Sequence, residues 1–356
     1  MSVRPHISVV VPVYNGGAGF ASCLDALAAS ACAERFEVVV ADDCSTDGSG
    51  DEARARGARV VRLAERSGPA AARNRGAEAS RGEVLFFIDA DVVVSPDTLA
   101  RASAFFRARA EVAAVFGSYD DAPAERHAVS LYKNLLHHYV HQHSNEEAET
   151  FWAGCGAIRR AAFEEAGGFD QRRYSRPSIE DIELGRRLRR RGFRIRLDKG
   201  LRVKHLKRWT LLSLVRTDVF ARAVPWSRLI FEGGEGVPDD LNLRARDRAS
   251  AVLAGGATAL VAASAVTLAL ASATVAAVLL TCALAALAVV LHLNRELFRF
   301  FQRRHGATFA ARAFVLHLLY FLYSGAAFAF CFVEHALRRA ARRGRGAARE
   351  RRVTDA

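Results

Sequence analysis

Over the first hundred positions, short β-rich apolar runs alternate with stretches of helical composition. Ile7–Val13 reads as a buried strand, and Glu37–Ala41, Arg59–Leu63 and Val84–Asp89 as three more. Ala18–Ala33, Thr46–Arg56 and Pro69–Ala79 between them are helical in composition. A further helix is predicted with Ser95 as N-cap and Pro96 at its first position. This alternation predicts an α/β domain with a mostly parallel sheet covered on both faces. Ligands of such sheets sit outside the carboxyl ends of the strands, so the chemistry should reside in the residues that end each strand.

The pattern changes after Arg248. Ala251 to Leu293 is 43 residues without one charged side chain. As helix it would be about 64 Å long, roughly twice a ~30 Å hydrocarbon core. Two crossings joined near Ser272 fit that length, and Ala313–Val333 is a third, aromatic-rich apolar segment, crossing or re-entrant. These segments show no buried acid or paired ionisable groups of the kind transporters use. Trp209–Phe231 interleaves Trp209, Leu211, Leu212, Leu214, Val215, Phe220, Trp226 and Leu229 with Arg216, Arg222 and Arg228. That suits a helix lying in the head-group layer, or one packed on a soluble domain. The organisation predicted is a soluble domain over residues 1–207, an amphipathic interfacial linker over 208–248, membrane helices over 249–336 and a basic tail over 337–356.

Composition and charge sharpen this picture. Of 356 residues, 51% are hydrophobic and 25% charged, which excludes wholesale disorder. The net charge of +13 invites a nucleic-acid reading, but the last nineteen residues alone carry eight Arg against two acids. Basic clusters that flank apolar runs point to anionic membrane lipids and not to nucleic acid. Six scattered cysteines without a CxxC pair read as reduced structural thiols. With no signal peptide evident, the expected location is the inner (plasma) membrane with the soluble domain cytoplasmic.

The strand ends carry carboxylates. The fourth strand closes on Asp89-Ala90-Asp91. Period-two geometry would put both acids on one side of an extended chain, where two hard oxygen donors suit Mg²⁺ or Mn²⁺. The second strand ends in Asp42-Asp43, and Ser45 to Ser49 follow as turn and helix-cap chemistry. The first ends in Pro12-Val13-Tyr14-Asn15-Gly16-Gly17, where Tyr14 offers a stacking face. Of the histidines at 127, 137, 138, 141 and 143, His137 and His141 share a helix face. A zinc site there would need a third ligand, and surface or acceptor-site histidines are the expected reading.

Three stretches in order, Ser8–Asn15, Asp42–Gly48 and Gly68–Gly76, together with Phe87–Asp91, resemble the inverting family 2 glycosyltransferases of the GT-A fold. The likeness continues through Trp152–Gly156, Gly167–Asp170 and Ile179–Glu183, covering roughly residues 6–208. It implies a Rossmann-like nucleotide-diphospho-sugar transferase domain, a UDP- or GDP-sugar donor and a divalent metal, Mg²⁺ or Mn²⁺. Carried onto this chain, the resemblance implies that Asp43 reads the base, Tyr14 lies against it and Pro12 shapes the strand end. Arg73 stands near the nucleotide, Asp89 faces ribose and metal waters, and Asp91 ligates the metal, with His205 reaching back to metal or diphosphate. Lys204 and Lys207 lend positive charge there. Asp181 is implied as general base, with Trp152, Gly154 and Glu180 on the acceptor side. Two departures stand out: Gly16 replaces the acidic or polar residue common in relatives, and His205-Leu-Lys-Arg208-Trp209 ends like the QxxRW signature of processive synthases but begins with His.

The expected function is metal-dependent inverting transfer of a sugar to a membrane-associated acceptor. A general base is needed more for a hydroxyl of a lipid-linked glycan or glycolipid than for a polyprenyl phosphate, which is already anionic. A catalytically silent membrane scaffold with the same fold is the competing reading, and retention of Asp89, Asp91 and Asp181 together speaks against it.

Overall fold

The computed structural model describes residues 5–233, 244–270 and 272–354, which fall into two compact units, one running through Thr210 and the other starting at Leu211. The first unit opens with β1 (Ile7–Val13), α1 (Gly17–Ala28), β2 (Phe36–Asp42), α2 (Ser49–Ala55), β3 (Arg59–Arg62), α3 (Pro69–Ala79) and β4 (Val84–Ile88). It continues with β5 (Val92–Val94), α4 (Thr98–Ala108), β6 (Val112–Tyr119), α5 (Ala128–His143), β7 (Cys155–Arg159), α6 (Arg160–Ala166), α7 (Glu180–Arg190) and β8 (Arg194–His205). One eight-stranded sheet has the order β3-β2-β1-β4-β7-β6-β8-β5. Its first four strands are parallel, and β7 runs antiparallel between β4 and β6. All five residues of β4 are buried, as expected for a strand covered on both faces.

This topology brings distant segments to one edge. Ile88 at the carboxyl end of β4 pairs with Cys155 at the start of β7. The Asp89–Asp91 turn and the Trp152–Gly154 segment therefore lie side by side. Val92 at the start of β5 pairs with His205 at the end of β8, and Leu206 N–H donates to Asp91 O.

Neighbouring strand-end loops are stitched together by the polar residues that follow β2. Ser45 Oγ accepts from Asn15 N–H, Ser49 Oγ from Gly16 N–H, and Asp47 from Gly17 N–H. Asn15 Oδ1 accepts in return from Thr46 N–H. Asn15 and Gly17 sit in the left-handed region at φ 51° and 53°, which makes the tight turn after β1. Helix α4 starts two residues later than predicted: Ser95–Thr98 forms a turn closed by Thr98 N–H to Ser95 O, and Ser95 Oγ donates to Arg202 O instead of capping.

Two histidines of α5, His138 and His141, are buried fasteners rather than surface groups, whereas His143 at the helix end is exposed. His138 and His141 are 7% and 6% exposed, and their Nδ1 atoms lie 2.8 and 2.9 Å from the carbonyls of Tyr119 and Gly117 on β6. Burial pulls the His141 imidazole down to about 4, although the Gly117 carbonyl favours its protonated form. The unfolded chain, with an ordinary value near 6.5, therefore takes up this proton first. Stability from His141 is complete above about pH 6.5 and is lost as the pH falls toward 4. His141→Gln, which can keep a donor to Gly117 O without titrating, should lose about 2 kcal/mol less than the parent between pH 7 and pH 5 in chemical denaturation. Identical pH slopes for the two proteins would contradict this role.

The second unit begins with a helical stretch formed by α8 (Leu211–Arg216), a π-helical turn Thr217–Ala223 and α9 (Val224–Gly233). Helices α10 (Ala245–Ala269), α11 (Ala273–Leu293) and α12 (Arg295–Thr354, broken at Gly306 with φ 81°) follow. Among the described residues, three helices are long and apolar enough to cross a membrane: Ala245–Ala269, Ala273–Leu293 and Arg295–Ala341. The first two meet at Ser272, where the sequence places the turn. Small side chains, among them Ala254, Ala257, Ala276 and Ala283, are buried where the helices pack, and Ser264 Oγ bonds to Ala276 O.

One expectation is corrected here, the placement of Trp209; the buried acid of this unit lies on the stretch before the apolar segments and not within them. Asp218 is 5% exposed and accepts from Tyr323 Oη and Arg222, and His317 is 4% exposed. Trp209, placed by its pattern on the amphipathic helix, is instead buried in the first unit, with its backbone N–H bonded to Ser130 Oγ at 2.8 Å. The helical stretch from Leu211 turns Leu214, Leu229 and Ile230 inward and leaves Leu212 and Phe220 more than 70% exposed.

Candidate active site

The site is assembled at the shared edge of β4 and β7. Asp89-Ala90-Asp91 is a turn and not a continuation of the strand, closed by Val92 N–H to Asp89 O. The period-two argument therefore fails, and the two acids face different partners. Asp89 Oδ1 accepts from Arg73 Nη2 at 2.7 Å, whereas Asp91 Oδ2 lies 3.4 Å from His205 Nε2. Burial pushes the Asp91 carboxyl up, but the contact with His205 and the nearby charge of Lys207 outweigh it and hold the group below the usual carboxylate range.

Arg73 is a buried clamp. On α3 and 6% exposed, it donates to Asp89 through one nitrogen and to Glu180 Oε1 through another, at 2.8 Å. A guanidinium fork can bridge two carboxylates from distant segments where an ammonium cannot. Glu180, expected on the acceptor side, is only 4% exposed and has its second oxygen on Ser178 N–H. Its carboxylate is turned into the protein and anchors the start of α7.

The next residue, Asp181, is half-buried. Its Oδ2 accepts from Ala153 N–H at 3.0 Å and its Oδ1 from Ile182 N–H at 2.8 Å. Burial raises this carboxyl to about 6, and the neighbouring Glu180 charge adds to the rise, while Arg73 and the two N–H donors work against it. A carboxylate with such a value is poised to take a proton near neutral pH.

Trp152 lies between the two acidic centres. A Cβ at Gly154 would stand 2.6 Å from the indole, and one at Gly156 would meet Phe151, so both glycines are seats for aromatic rings. Tyr119 packs edge-on against Trp152 at 5.0 Å and stacks on His205 at 4.4 Å with 7° between the planes. The contacts close a circuit. Asp91 meets His205, His205 stacks on Tyr119, Tyr119 touches Trp152, and the next residue, Ala153, holds Asp181. From α7 the path returns through Glu180 and Arg73 to Asp89.

The nucleotide-side residues lie on the neighbouring strand ends. Asp43 is 5% exposed, and its two oxygens accept from Ser67 and Gly68 N–H at 2.7 and 2.9 Å. Its visible work is to fasten the loop before α3; any base contact must use a remaining lone pair. Tyr14 is 40% exposed, and the Arg66 guanidinium covers one ring face at 3.8 Å, a partner the sequence reading missed. Pro12 is half-buried in β1 opposite Ala41. Lys204 is paired with Asp120 at 2.8 Å rather than free for a diphosphate, and Lys207 sits over the Trp209 ring.

The divalent ion implied by the resemblance finds fitting donors. His205 Nδ1 lies 2.9 Å from Asn134 Oδ1, so an Nδ1–H can donate to that oxygen. With Nδ1 so bonded, Nε2 and the Asp91 carboxylate are turned toward each other, with room for a proton or a cation between them. One carboxylate oxygen and one imidazole nitrogen fit Mn²⁺ better than the harder Mg²⁺, which would lean on the carboxylate, with the shell completed from outside the protein. Among the described residues no group of three or more His, Cys, Asp or Glu forms a full cage.

Comparison with known proteins agrees with this fold. Residues 8–167 match Glycosyl transferase family 2. The glycosyltransferase AglE of Haloferax volcanii is 36% identical over 96 residues, 25% of this chain and 32% of that protein. Validoxylamine A glucosyltransferase of Streptomyces hygroscopicus subsp. jinggangensis is 30% identical over 227 residues, 53% of this chain and 52% of that one. The chain thus aligns with about half or less of these curated relatives. Among solved structures, the mannosyltransferase PcManGT from Pyrobaculum calidifontis, in complex with GDP-Man and Mn²⁺, superposes with a TM-score of 0.53. It is 20% identical, and the match covers 92% of this chain and 88% of that one, a likeness of fold. Residues 8–167 are thus similar to the family 2 glycosyltransferases, and the fold that carries them is of the GT-A kind.

Proposed function

We propose that the chain is a metal-dependent inverting glycosyltransferase that moves a sugar from a UDP- or GDP-sugar to a membrane-associated acceptor, a hydroxyl of a lipid-linked glycan or glycolipid. The observation that carries this reading is the circuit of contacts from Asp91 through His205, Tyr119 and Trp152 to Asp181. It joins a site suited to a cation-bound diphosphate to a carboxylate suited to accept a proton.

In this reading Asp91 and His205 would hold Mg²⁺ or Mn²⁺, which when bound supplies Lewis-acid stabilisation of the leaving diphosphate. Tyr14, Pro12 and Asp43 line the nucleotide side, and Arg73 keeps Asp89 in place beside it. Trp152 on Gly154 gives the acceptor sugar an apolar face. Asp181 takes the acceptor proton as its oxygen attacks the anomeric carbon opposite the diphosphate. The raised value of Asp181 favours a hydroxyl acceptor over a polyprenyl phosphate, which needs no base. Three apolar helices, the exposed Leu212 and Phe220 and the basic tail support anchoring to a membrane with anionic lipids, with the catalytic domain on the cytoplasmic side.

Thermal shift of the full chain in detergent with a panel of UDP- and GDP-sugars, with Mn²⁺, Mg²⁺ or chelator, tests the donor reading. The matching donor should stabilise by about 2.7 kcal/mol at a hundredfold excess over Kd. The effect should require the metal and vanish in Asp91→Asn. Absence of a shift with every donor would return the scaffold reading.

A further inference from the structure

Asn134 is a carboxamide in the middle of α5, 1% exposed, on a helix face that otherwise buries Leu131, Leu135, Tyr132 and His138. Burying an amide costs free energy unless it is bonded, so a core position of this kind calls for a reason. Its oxygen is 2.9 Å from His205 Nδ1, across two elements that meet only in the folded protein. The amide nitrogen is buried and has no partner, so the group makes one bond where an apolar residue would make none at lower cost. Tyr119 fixes the plane of the same imidazole by stacking on it, and His137 from α5 packs on Tyr119 at 4.2 Å. Two contacts therefore constrain His205: the ring stack sets its plane, and Asn134 sets its rotation within the plane and its tautomer.

We propose that Asn134 is the positioning residue of the metal site: it holds His205 as the Nδ1–H tautomer with the Nε2 lone pair directed at Asp91. The proposal rests on the reading of Asp91 and His205 as metal donors. Leu at this position would fill the space but leave Nδ1–H buried and unbonded. The ring would then gain by turning or by moving its proton to Nε2, and either change removes the lone pair from the cation. Outer-shell partners of this type are worth roughly 10–100-fold in metal affinity. Asp at the same place still accepts from Nδ1–H and should preserve the tautomer.

The test is Mn²⁺ binding to the full-length protein in detergent with GDP or UDP present, read as loss of the free-ion EPR signal. Imidazole ¹⁴N modulation in pulsed EPR reports whether His205 coordinates. The parent should show bound Mn²⁺ with ¹⁴N coupling. His205→Ala should lose the coupling, Asn134→Leu should bind 10–100-fold more weakly with the coupling reduced, and Asn134→Asp should restore both. A shared thermal midpoint without metal shows that the fold is intact; if Asn134→Leu does not fold, the comparison of Asn134→Asp with Asn134→Ser, a shorter side chain, serves in its place. Parent-like affinity and coupling in the variant lacking the acceptor, alongside a defective His205→Ala, would overturn the role of Asn134 while leaving the metal reading standing. Failure of the parent to bind Mn²⁺ would overturn the metal reading and the positioning role with it.

Discussion

Asp181→Asn is expected to lower kcat by about 10²–10⁴-fold while the apparent donor affinity stays close to that of the parent. The amide can still accept from Ala153 N–H through its oxygen, so the Trp152 segment stays in place, but it cannot take a proton. The parent should also show an acidic limb: kcat/KM rises with pH through about 6 as the Asp181 carboxyl loses its proton, then levels off. The sign follows from the role, since a base works only when ionised, and the variant should lack this limb. Steady-state kinetics on a matched donor and acceptor decide the matter. Parent-like turnover in Asp181→Asn, or a limb unchanged by it, would mean that another group removes the proton.

Arg73→Leu should have the largest effect on stability. Removing the guanidinium leaves Glu180, 4% exposed, and Asp89 without their shared counter-charge. Breaking one side of a buried ion pair typically costs about 3–5 kcal/mol, mostly from the stranded charge. For a unit of this size that lowers the thermal midpoint by roughly 10 °C. The penalty belongs to the partner's charge, so Arg73→Leu combined with Glu180→Gln should recover a substantial part of it. Arg73→Lys should fall between, because a single ammonium does not span both carboxylates. A midpoint unchanged in Arg73→Leu would show that the clamp carries no stability, and the double variant separates a stranded charge from simple loss of packing.

Much of this architecture can be read along the chain because each strand announces itself locally. The all-apolar β4 and the turn at Ser272 need no knowledge of the rest of the fold. The strand-end acids could likewise be found from position alone. Their partners could not. Glu180 reads as an exposed acid at the start of a helix until α3 delivers Arg73 to it from over a hundred residues away. Asp89 and Asp91 look like neighbours on one face until the chain turns at Ala90, which only the pairing of β5 with β8 requires. His138 and His141 suggested a surface or acceptor role because their partners, the carbonyls of β6, carry no sequence signal. Trp209 was assigned to the wrong segment for a similar reason: amphipathic periodicity does not reveal that its backbone is held by Ser130. Asn134 did leave a trace, a lone amide among core residues of a helix, but its meaning depends on the ring it faces.

The central claim is that Asp91 and Asp181 serve a single pocket around a cation-bound nucleoside diphosphate. A crystal structure of the full chain with Mn²⁺ and the stabilising nucleotide, using anomalous scattering at the manganese edge, tests it most directly. The account predicts an anomalous peak at ligand distance, ~2 Å, from both the Asp91 carboxylate and His205 Nε2, with the diphosphate on the ion and Asp181 facing the open end of the sugar site. A nucleotide bound elsewhere, or an ion that ignores both side chains, would contradict it.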